Sequence, residues 1–293
     1  MDHRNFLKSF SPEERAHLTN LSDAIGLIYL LGHLALLVLG GLYIIFELPF
    51  WQACLIPYGI ALVFLFTLEH ECTHRTPFKS PWINDAVGRI CGIVLILPFE
   101  WFRYFHLAHH KYTNDPENDP ELATTRPQSW PQLIWYISGV PYWVSMLQQV
   151  FKGAQGNFAH EWIPLNAKSR LTLESRLMLF LYLCAALSLL VSDLLLWLWV
   201  LPSVIAQPFL RIYLLAEHGH CPFVANMFEN TRTTFTNRVV RLVAWNMPYH
   251  AEHHVYPAVP FWKLPELHRH AKDHLSKTSD GYVEFTAEYC REL

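Results

Sequence analysis

The run Ile25–Phe46 constrains the fold before anything else in the sequence. A helix needs about 20 consecutive apolar residues to cross the hydrocarbon core of a bilayer, and this run supplies them. Glu47-Leu48-Pro49 turns the chain and Phe50–Leu68 carries it back, so that Glu69, His70, Glu71 and His74 stand at the exit of a second span. A second pair is expected at Leu177–Val191 and Leu194–Ala216, joined by Ser192-Asp193. Its first member is short, with Arg176 able to snorkel at its mouth, and its second delivers Glu217, His218 and His220. The expected spans are residues 25–46, 50–69, 177–191 and 194–217, with 70–176 and 218–293 outside the membrane.

Composition agrees with an integral membrane protein: 52% of the 293 residues are hydrophobic and only 16% charged, which is too apolar for an ordinary soluble enzyme. The length suits one unit, a single domain over 1–293. A net charge of -3 provides no broad basic surface and argues against a nucleic-acid partner. The six cysteines form no C-x-x-C pair, and Cys54 and Cys184 lie in apolar runs, which disfavours a disulfide framework or a zinc ribbon. The polar N-terminal segment (Asp2, Arg4, Lys8, Glu13, Glu14, Arg15) does not read as a signal peptide.

The two short turns, Glu47–Pro49 and Ser192-Asp193, contain no Lys or Arg, whereas the N-terminal segment, the central loop and the tail carry nearly all of them. By the positive-inside rule those regions face the cytoplasm. Arg211 is the exception, about a helical turn and a half inside the fourth span, where a charge is costly unless it pairs or reaches water. Two further apolar stretches, Ile90–Phe99 and Leu133–Phe151, are expected to lie in the interface. The first is too short to cross, and the second carries Gly139, Pro141 and several aromatics. A span in the second would also place the histidine motifs described next on opposite sides of the membrane.

Seventeen histidines are the compositional anomaly. His106-x-x-His109-His110 and His250-x-x-His253-His254 repeat one pattern, and His70-x-x-x-His74 adds a third group. On a helix, positions i, i+3 and i+4 share a face, so each motif presents its imidazoles together. Eight boxed histidines, with His218 as a ninth, exceed the needs of one four-coordinate zinc and suit two metal ions. Imidazole accepts zinc, copper, nickel and iron alike; an apolar membrane setting points to oxygen chemistry on iron, since C–H activation needs redox chemistry that zinc lacks. Two rivals belong to other classes. His70-Glu71-x-x-His74 is also the H-E-x-x-H pattern of a zinc peptidase, in which Glu71 would be the general base of an intramembrane protease. A metal-binding or transport protein would need a polar path across the spans, and none is visible.

The three boxes in this order, among four apparent spans, resemble the membrane fatty-acid desaturase and hydroxylase superfamily, from about Ile25 to His270. Thr113-Asn-Asp-Pro, Asn230-Thr-Arg-Thr-Thr and Trp245-Asn-Met-Pro-Tyr look like its bacterial branch, which includes small-molecule relatives such as dihydrorhizobitoxine desaturases. The resemblance implies an all-α fold of two transmembrane hairpins with a cytoplasmic helical cap carrying the boxes. It also implies a non-haem di-iron centre held by His70, His74, His106, His109, His110, His218, His250, His253 and His254. Such an enzyme uses O₂ and two electrons to desaturate an acyl chain of a lipid or thioester. Hydroxylation of an alkyl chain, or desaturation of a small amino-acid-derived molecule, are the alternatives. Where acyl-CoA desaturases place an Asn four residues before the additional histidine, Leu214 stands here, leaving His220 as a possible substitute.

Carboxylates that accept the outer N–H of such rings would orient them. Candidates are Glu69, Glu71, Asp115, Asp119, Glu217 and Glu252, with Asp115 the expected contributor from the loop after the second box. Trp101, Tyr104, Trp245 and Tyr249 flank boxes. No cytochrome b5 domain, cluster motif or nucleotide loop is recognisable, so electrons are expected from a separate ferredoxin, rubredoxin or cytochrome b5-like partner. The tail residues Arg238, Arg241, Lys263, Arg269 and Lys272 offer one basic surface for it. A bacterial inner membrane is the expected location, with the site facing the cytoplasm.

Overall fold

A computed structural model describes residues 1–293. Helices α1 (His3–Ser9) and α2 (Pro12–Leu18) are each begun by a side chain that captures free amides. Asp2 accepts from the amides of Arg4 and Asn5, and Ser11 and Glu14 cap each other around Pro12. Helix α3 (Asp23–Ile45) follows and turns through Glu47 and Phe50, both in the left-handed region, into α4 (Trp51–Val63). A break at Phe64 separates α4 from α5 (Leu65–His74). Helix α4 contains Pro57, and α11 (Leu201–His218) contains Pro208. The two helices pack closely at Gly59, where a side chain would collide with the carbonyl of Pro202.

Four segments are long and apolar enough to cross a membrane: Pro12–Ile45, Trp51–His74, Leu165–Ser188 and Leu196–His218. The last includes a π-helical turn, Leu196–Val200. Their outer faces confirm the setting. On α10 (Lys168–Ser188), Leu173, Leu177, Phe180, Leu183 and Leu187 form one exposed stripe at helical spacing, a surface that water would not tolerate and lipid does. The protein is therefore an all-helical membrane protein whose only strands are β1 (Thr233–Thr234) and β2 (Thr278–Ser279), paired in parallel.

The third span differs from the expectation of residues 177–191. It begins at least nine residues earlier and ends at Ser188. Hydropathy reads Lys168, Arg170, Glu174 and Arg176 as loop, yet each has a partner. Lys168 donates to the Phe158 carbonyl at 2.9 Å, Arg170 meets Glu100 at 3.0 Å, Glu174 accepts from the Glu100 amide at 2.9 Å, and Arg176 donates to the Ala154 carbonyl at 2.9 Å. Polar partners on neighbouring elements extend the helix beyond its apolar part, so Arg176 lies within it and not at its mouth.

Between the spans lie α6 (Pro81–Leu95) and α7 (Phe99–Tyr112), bent by 100° to one another, then α8 (Trp130–Ile137) and α9 (Val140–Ala154). Each is too short to cross on its own. The end of α6 is buried among other elements, and its last four carbonyls are all satisfied: Gly92 by the Leu97 amide, Ile93 by the Tyr182 hydroxyl, Val94 by the Trp199 indole and Leu95 by the Tyr142 hydroxyl, at 2.7–2.9 Å. A helix end in an apolar surround requires such partners, and here the turn that follows and three other segments provide them.

The chain finishes with α12 (Met227–Asn230), α13 (Arg238–Val243), α14 (His250–Val255), α15 (Leu264–Ala271) and α16 (Tyr282–Arg291). This part is tied to the spans through His33. Its Nε2 lies 2.8 Å from the Ala61 carbonyl and its Nδ1 accepts from the Trp245 indole at 3.1 Å, so one tautomer satisfies both contacts.

Candidate metal centre

Four helices bring the histidines together. Helix α5 carries His70 and His74, α7 carries His106, His109 and His110, α14 carries His250, His253 and His254, and α11 ends on His218. The short α14 is aimed by the turn before it, in which Trp245 and Asn246 adopt positive φ and the Pro248 carbonyl is held by the Thr234 amide at 3.0 Å. All of these histidines are buried except His74, which is half-buried.

The rings fall into two groups. Ligand nitrogens of His70, His74, His106, His110 and His253 all lie within 4.8 Å of one another, and those of His109, His218 and His254 form a second such group. His250 joins the second through its Nε2, 3.2 Å from that of His218. Inner nitrogens face each other in pairs: His74 and His106 at 2.8 Å, His253 and His110 at 3.2 Å, His109 and His218 at 3.2 Å. Neutral imidazoles have one donor each, and the Nε2 atoms of His70 and His254 have no protein partner at all. Burial among other imidazoles holds the pKa values of His106, His110, His250, His253 and His254 well below the ordinary value. Orphaned inward nitrogens on neutral rings are the donor set that divalent transition metals accept.

The outer nitrogens define what surrounds the rings. His109 Nδ1 lies 2.9 Å from Asp119, His218 Nδ1 donates to the Asn230 carbonyl at 3.2 Å, and His254 Nδ1 meets the Thr113 hydroxyl at 3.2 Å. Glu217 stands 3.3 Å from His250 Nδ1, and Glu71 stands 3.2 Å from His253 Nδ1 and 3.8 Å from His70 Nδ1. Burial lowers the His109 pKa, but the Glu121 and Asp119 carboxylates outweigh it and the net shift is upward.

Two expected carboxylates lie elsewhere. Asp115 is bound to its own turn, accepting from the Glu117 amide and the Asn118 side chain; Asp119 takes the place beside His109 because Asn114, in the left-handed region, folds the loop back. Glu252 points away from the boxed rings, to His268 and the Thr233 hydroxyl. Glu69 is fully buried with no hydrogen-bond partner. Thr113 and Asn230 carried no spacing signal, since both reach the histidines from separate segments.

An apolar cavity of about 930 Å³ lies between α3, α4, α11, α13 and α16, lined by Tyr58, Phe64, Ile212, Tyr213, Val240 and Tyr282 among others. Tyr213, in its lining, stands one helical turn before Glu217, whose carboxylate lies 3.3 Å from His250 Nδ1.

A family profile described as fatty acid desaturase matches residues 47–286, most of the chain. The chain belongs to the fatty acid desaturase family. It is similar to the sn-1 oleoyl-lipid 12-desaturase of Anabaena variabilis, with 23% identity over 258 residues, 74% of this chain and 70% of that protein. The same enzyme of Arthrospira platensis is 23% identical over 235 residues, 70% of this chain and 64% of the relative. A shorter match, 34% over 55 residues (19% of this chain and 15% of the relative), is to the sn-1 acyl-lipid omega-3 desaturase (ferredoxin) of Nostoc sp. (strain 36). Desaturases are metal-dependent oxidoreductases, and the histidine cluster is the place in this one that could hold metal.

Several other residues find places in the desaturase. Glu71, the base that a zinc peptidase would need, is enclosed by His253 and by the Thr76 hydroxyl at 3.0 Å and faces no open water. His220 turns away from the cluster, stacking on Tyr289 and lying 3.1 Å from Glu292. Arg211 is buried, makes no ion pair and lies over the Tyr142 ring at 4.4 Å, so the ring face is the partner of its charge. Trp101 packs against Phe105 and Trp162, Tyr104 accepts from Arg170, Tyr249 accepts from Arg241, and Trp245 is engaged with His33, all away from the ligand nitrogens.

Proposed function

We propose that this protein is an O₂-dependent di-iron desaturase that introduces a double bond into a fatty acyl chain of a membrane lipid. The observation that carries this reading is the pair of histidine groups, five rings and three with His250 beside them, each with one inward nitrogen, that of His70 or of His254, lacking any protein partner. His70, His74, His106, His110 and His253 would hold one iron, and His109, His218, His250 and His254 the other. When bound, the iron pair would supply activation of O₂ and removal of hydrogen from an unactivated methylene. Overall, O₂, two electrons, two protons and two hydrogens from adjacent carbons become two waters and one double bond.

The chain's own residues supply position, neutrality and exclusion of water. Neutral imidazoles add no negative charge to the site, and Asp119, Glu217 and Glu71 set ring orientation from outside. The apolar cavity beside Tyr213 accommodates an acyl chain, whose transfer from bilayer to cavity is between two apolar surroundings. The whole chain, 1–293, acts as a single membrane domain. Its spans form two hairpins with residues 75–164 and 219–293 on the cytoplasmic side of a bacterial inner membrane, an orientation supported by the absence of Lys and Arg from the two short turns. Reducing equivalents come from a separate one-electron carrier protein.

Mass spectrometry of lipids from expressing cells tests the reading. Loss of two hydrogens from an acyl chain, absent with His253→Ala, is the expected result. Gain of one oxygen would make the enzyme a hydroxylase, and unchanged lipids would move the substrate to small molecules. Stoichiometric zinc with Glu71-dependent proteolysis would overturn it. For topology, cysteines introduced at Gly156 and His268 should react with an impermeant reagent from the same side.

A further inference from the structure

Helix α3 buries a narrow face made of Gly26, His33, Gly41 and Ile44, while Leu31, Leu34, Val38 and Leu39 remain exposed. A histidine in that face is costly, because an imidazole taken into a membrane span loses its water and has to find partners within the protein. His33 is 5% exposed and belongs to none of the three boxes. Its two partners lie on different elements, and each of those elements leads directly to a box.

The first partner is the Ala61 carbonyl, 2.8 Å from His33 Nε2. It stands three residues before the break at Phe64, after which α5 carries His70 and His74. The second is the Trp245 indole, which donates to His33 Nδ1 at 3.1 Å. Trp245 and Asn246 have φ of 50° and 56°, a left-handed pair that is unfavourable for residues other than glycine and that surrounding contacts must sustain. Those contacts include the bond to His33, the packing of Trp245 on Phe261 at 4.6 Å between ring centroids, and the Asn246 side chain donating to the Phe261 carbonyl at 3.1 Å. Helix α14 begins four residues after Asn246. With six residues it is too short to hold its place alone, yet it carries His253 of the five-ring group together with His250 and His254 of the other.

We propose that His33 is a positioning residue of the metal centre: by joining the α4–α5 junction to the turn before α14, it sets the separation of the first and third histidine boxes. That separation brings His70 and His253 to 4.6 Å between ring centroids, with the Glu71 carboxylate 3.8 Å from one Nδ1 and 3.2 Å from the other. The inference rests on the reading of the two histidine groups as a metal centre. Both nitrogens of His33 are used in its two bonds, so it is not itself a ligand, and its effect on the rings of α14 passes through Trp245.

The test uses the full chain in nanodiscs. Hydrogen exchange of residues 245–255 is read by mass spectrometry in the metal-free protein, and cobalt(II) is titrated as a probe whose visible spectrum reports ligand geometry. His33→Ala should speed exchange in 245–255 by about tenfold, the worth of one buried hydrogen bond, and leave α10 at the wild-type rate. It should also shift the cobalt spectrum and weaken cobalt binding by about threefold to tenfold, less than the 10–100-fold of a residue that touches a ligating ring. Trp245→Phe removes the indole N–H and keeps an aromatic ring, so it should reproduce these changes, and the double variant should be no worse than the more severe single one. His33→Asn puts an acceptor near the place of Nδ1 and should restore slow exchange in 245–255, whereas His33→Gln puts a donor near the place of Nε2 and should not. If His33→Ala does not fold, these two variants decide. Exchange that rises equally in α10, additive effects of His33→Ala and Trp245→Phe, an unchanged cobalt spectrum, or Asn and Gln variants that behave alike would each overturn the proposal. A wild type that binds no cobalt would refute the metal-centre reading, and the exchange pattern would still decide whether His33 holds α14.

Discussion

The two histidine groups are made of the same residue types, yet they are held in place by different means. In the group of His109, His218 and His254, with His250 beside it, every outer nitrogen has a polar neighbour: Asp119, the Asn230 carbonyl, the Thr113 hydroxyl and Glu217. In the group of His70, His74, His106, His110 and His253, Glu71 alone plays that part, and the outer nitrogens of His70 and His110 have no hydrogen-bond partner. Packing orients these rings instead. His70 lies 4.1 Å from His106 between ring centroids, and His110 stacks on His254 at 4.0 Å with the planes 10° apart. One group depends on polar partners behind its rings, the other chiefly on packing against the α5–α6–α7 scaffold.

The largest effects should come from removing a ring from either group. His218→Ala and His253→Ala should each lose roughly half of the bound iron, since a vacated ligand position weakens one site more than its neighbour, and both should abolish turnover. Iron quantified per chain by mass spectrometry decides it. Loss of all iron from both variants would mean that the groups bind as one unit and that the division between them has no functional content.

Next come the residues behind the rings. Asp119→Ala should lower metal affinity by about 10–100-fold, and selectively in the group that contains His109. Asp119 also accepts from the amides of Asn114 and Glu121, so part of that loss reflects the loop. The Glu121 amide binds Oδ1 and the Asn114 amide Oδ2, so Asp119→Asn keeps one of the two loop contacts, and its metal affinity should fall between wild type and Asp119→Ala. Glu71→Gln should affect only the other group, and less, because four of its five rings do not depend on a close carboxylate. Equal losses from Asp119→Ala and Glu71→Gln would contradict the distinction.

The scaffold-held group has its own weak point in the end of α6. Tyr142→Phe or Trp199→Phe would leave the Leu95 or Val94 carbonyl unpaired in an apolar surround, costing about 1–3 kcal/mol. The expected result is a lower melting temperature, with iron released first from the group on α5 and α7. Thermal unfolding followed by both circular dichroism and iron release would read the order.

How much of this was legible in the sequence follows the same division. The boxes could be read because their spacing is a property of a single helix, and the apolar runs because length and composition alone decide whether a helix can span. What supports the rings was less legible, because it depends on how loops return. Asp115 and Asp119 sit in one Asn-Asp-Pro-rich turn, and only the positive φ of Asn114 selects Asp119 for His109. Thr113 and Asn230 open two stretches that carry the family resemblance, but nothing in their spacing shows that they reach His254 and His218. The start of α10 was hidden for a related reason: its charged residues find partners on α7 and α9, and no reading of local hydropathy contains those partners.

The smallest effect should come from the histidine closest in sequence to a candidate ligand. His220 is two residues beyond His218, but the His218–Gly219 bend turns it onto α16, where it stacks on Tyr289 with ring centroids 4.2 Å apart and planes 7° apart, and lies 3.1 Å from Glu292. An exposed polar contact of this kind contributes at most about 1 kcal/mol and an aromatic pair about 0.5–1.5 kcal/mol, so His220→Ala should loosen the C-terminal helix slightly and leave the metal centre intact. Iron content equal to wild type, a melting temperature lower by a few degrees and nearly unchanged turnover are the expected outcomes. Iron loss comparable to that of His218→Ala would mean that the chain after α11 can present either imidazole to the site, and the assignment of His218 alone would fail.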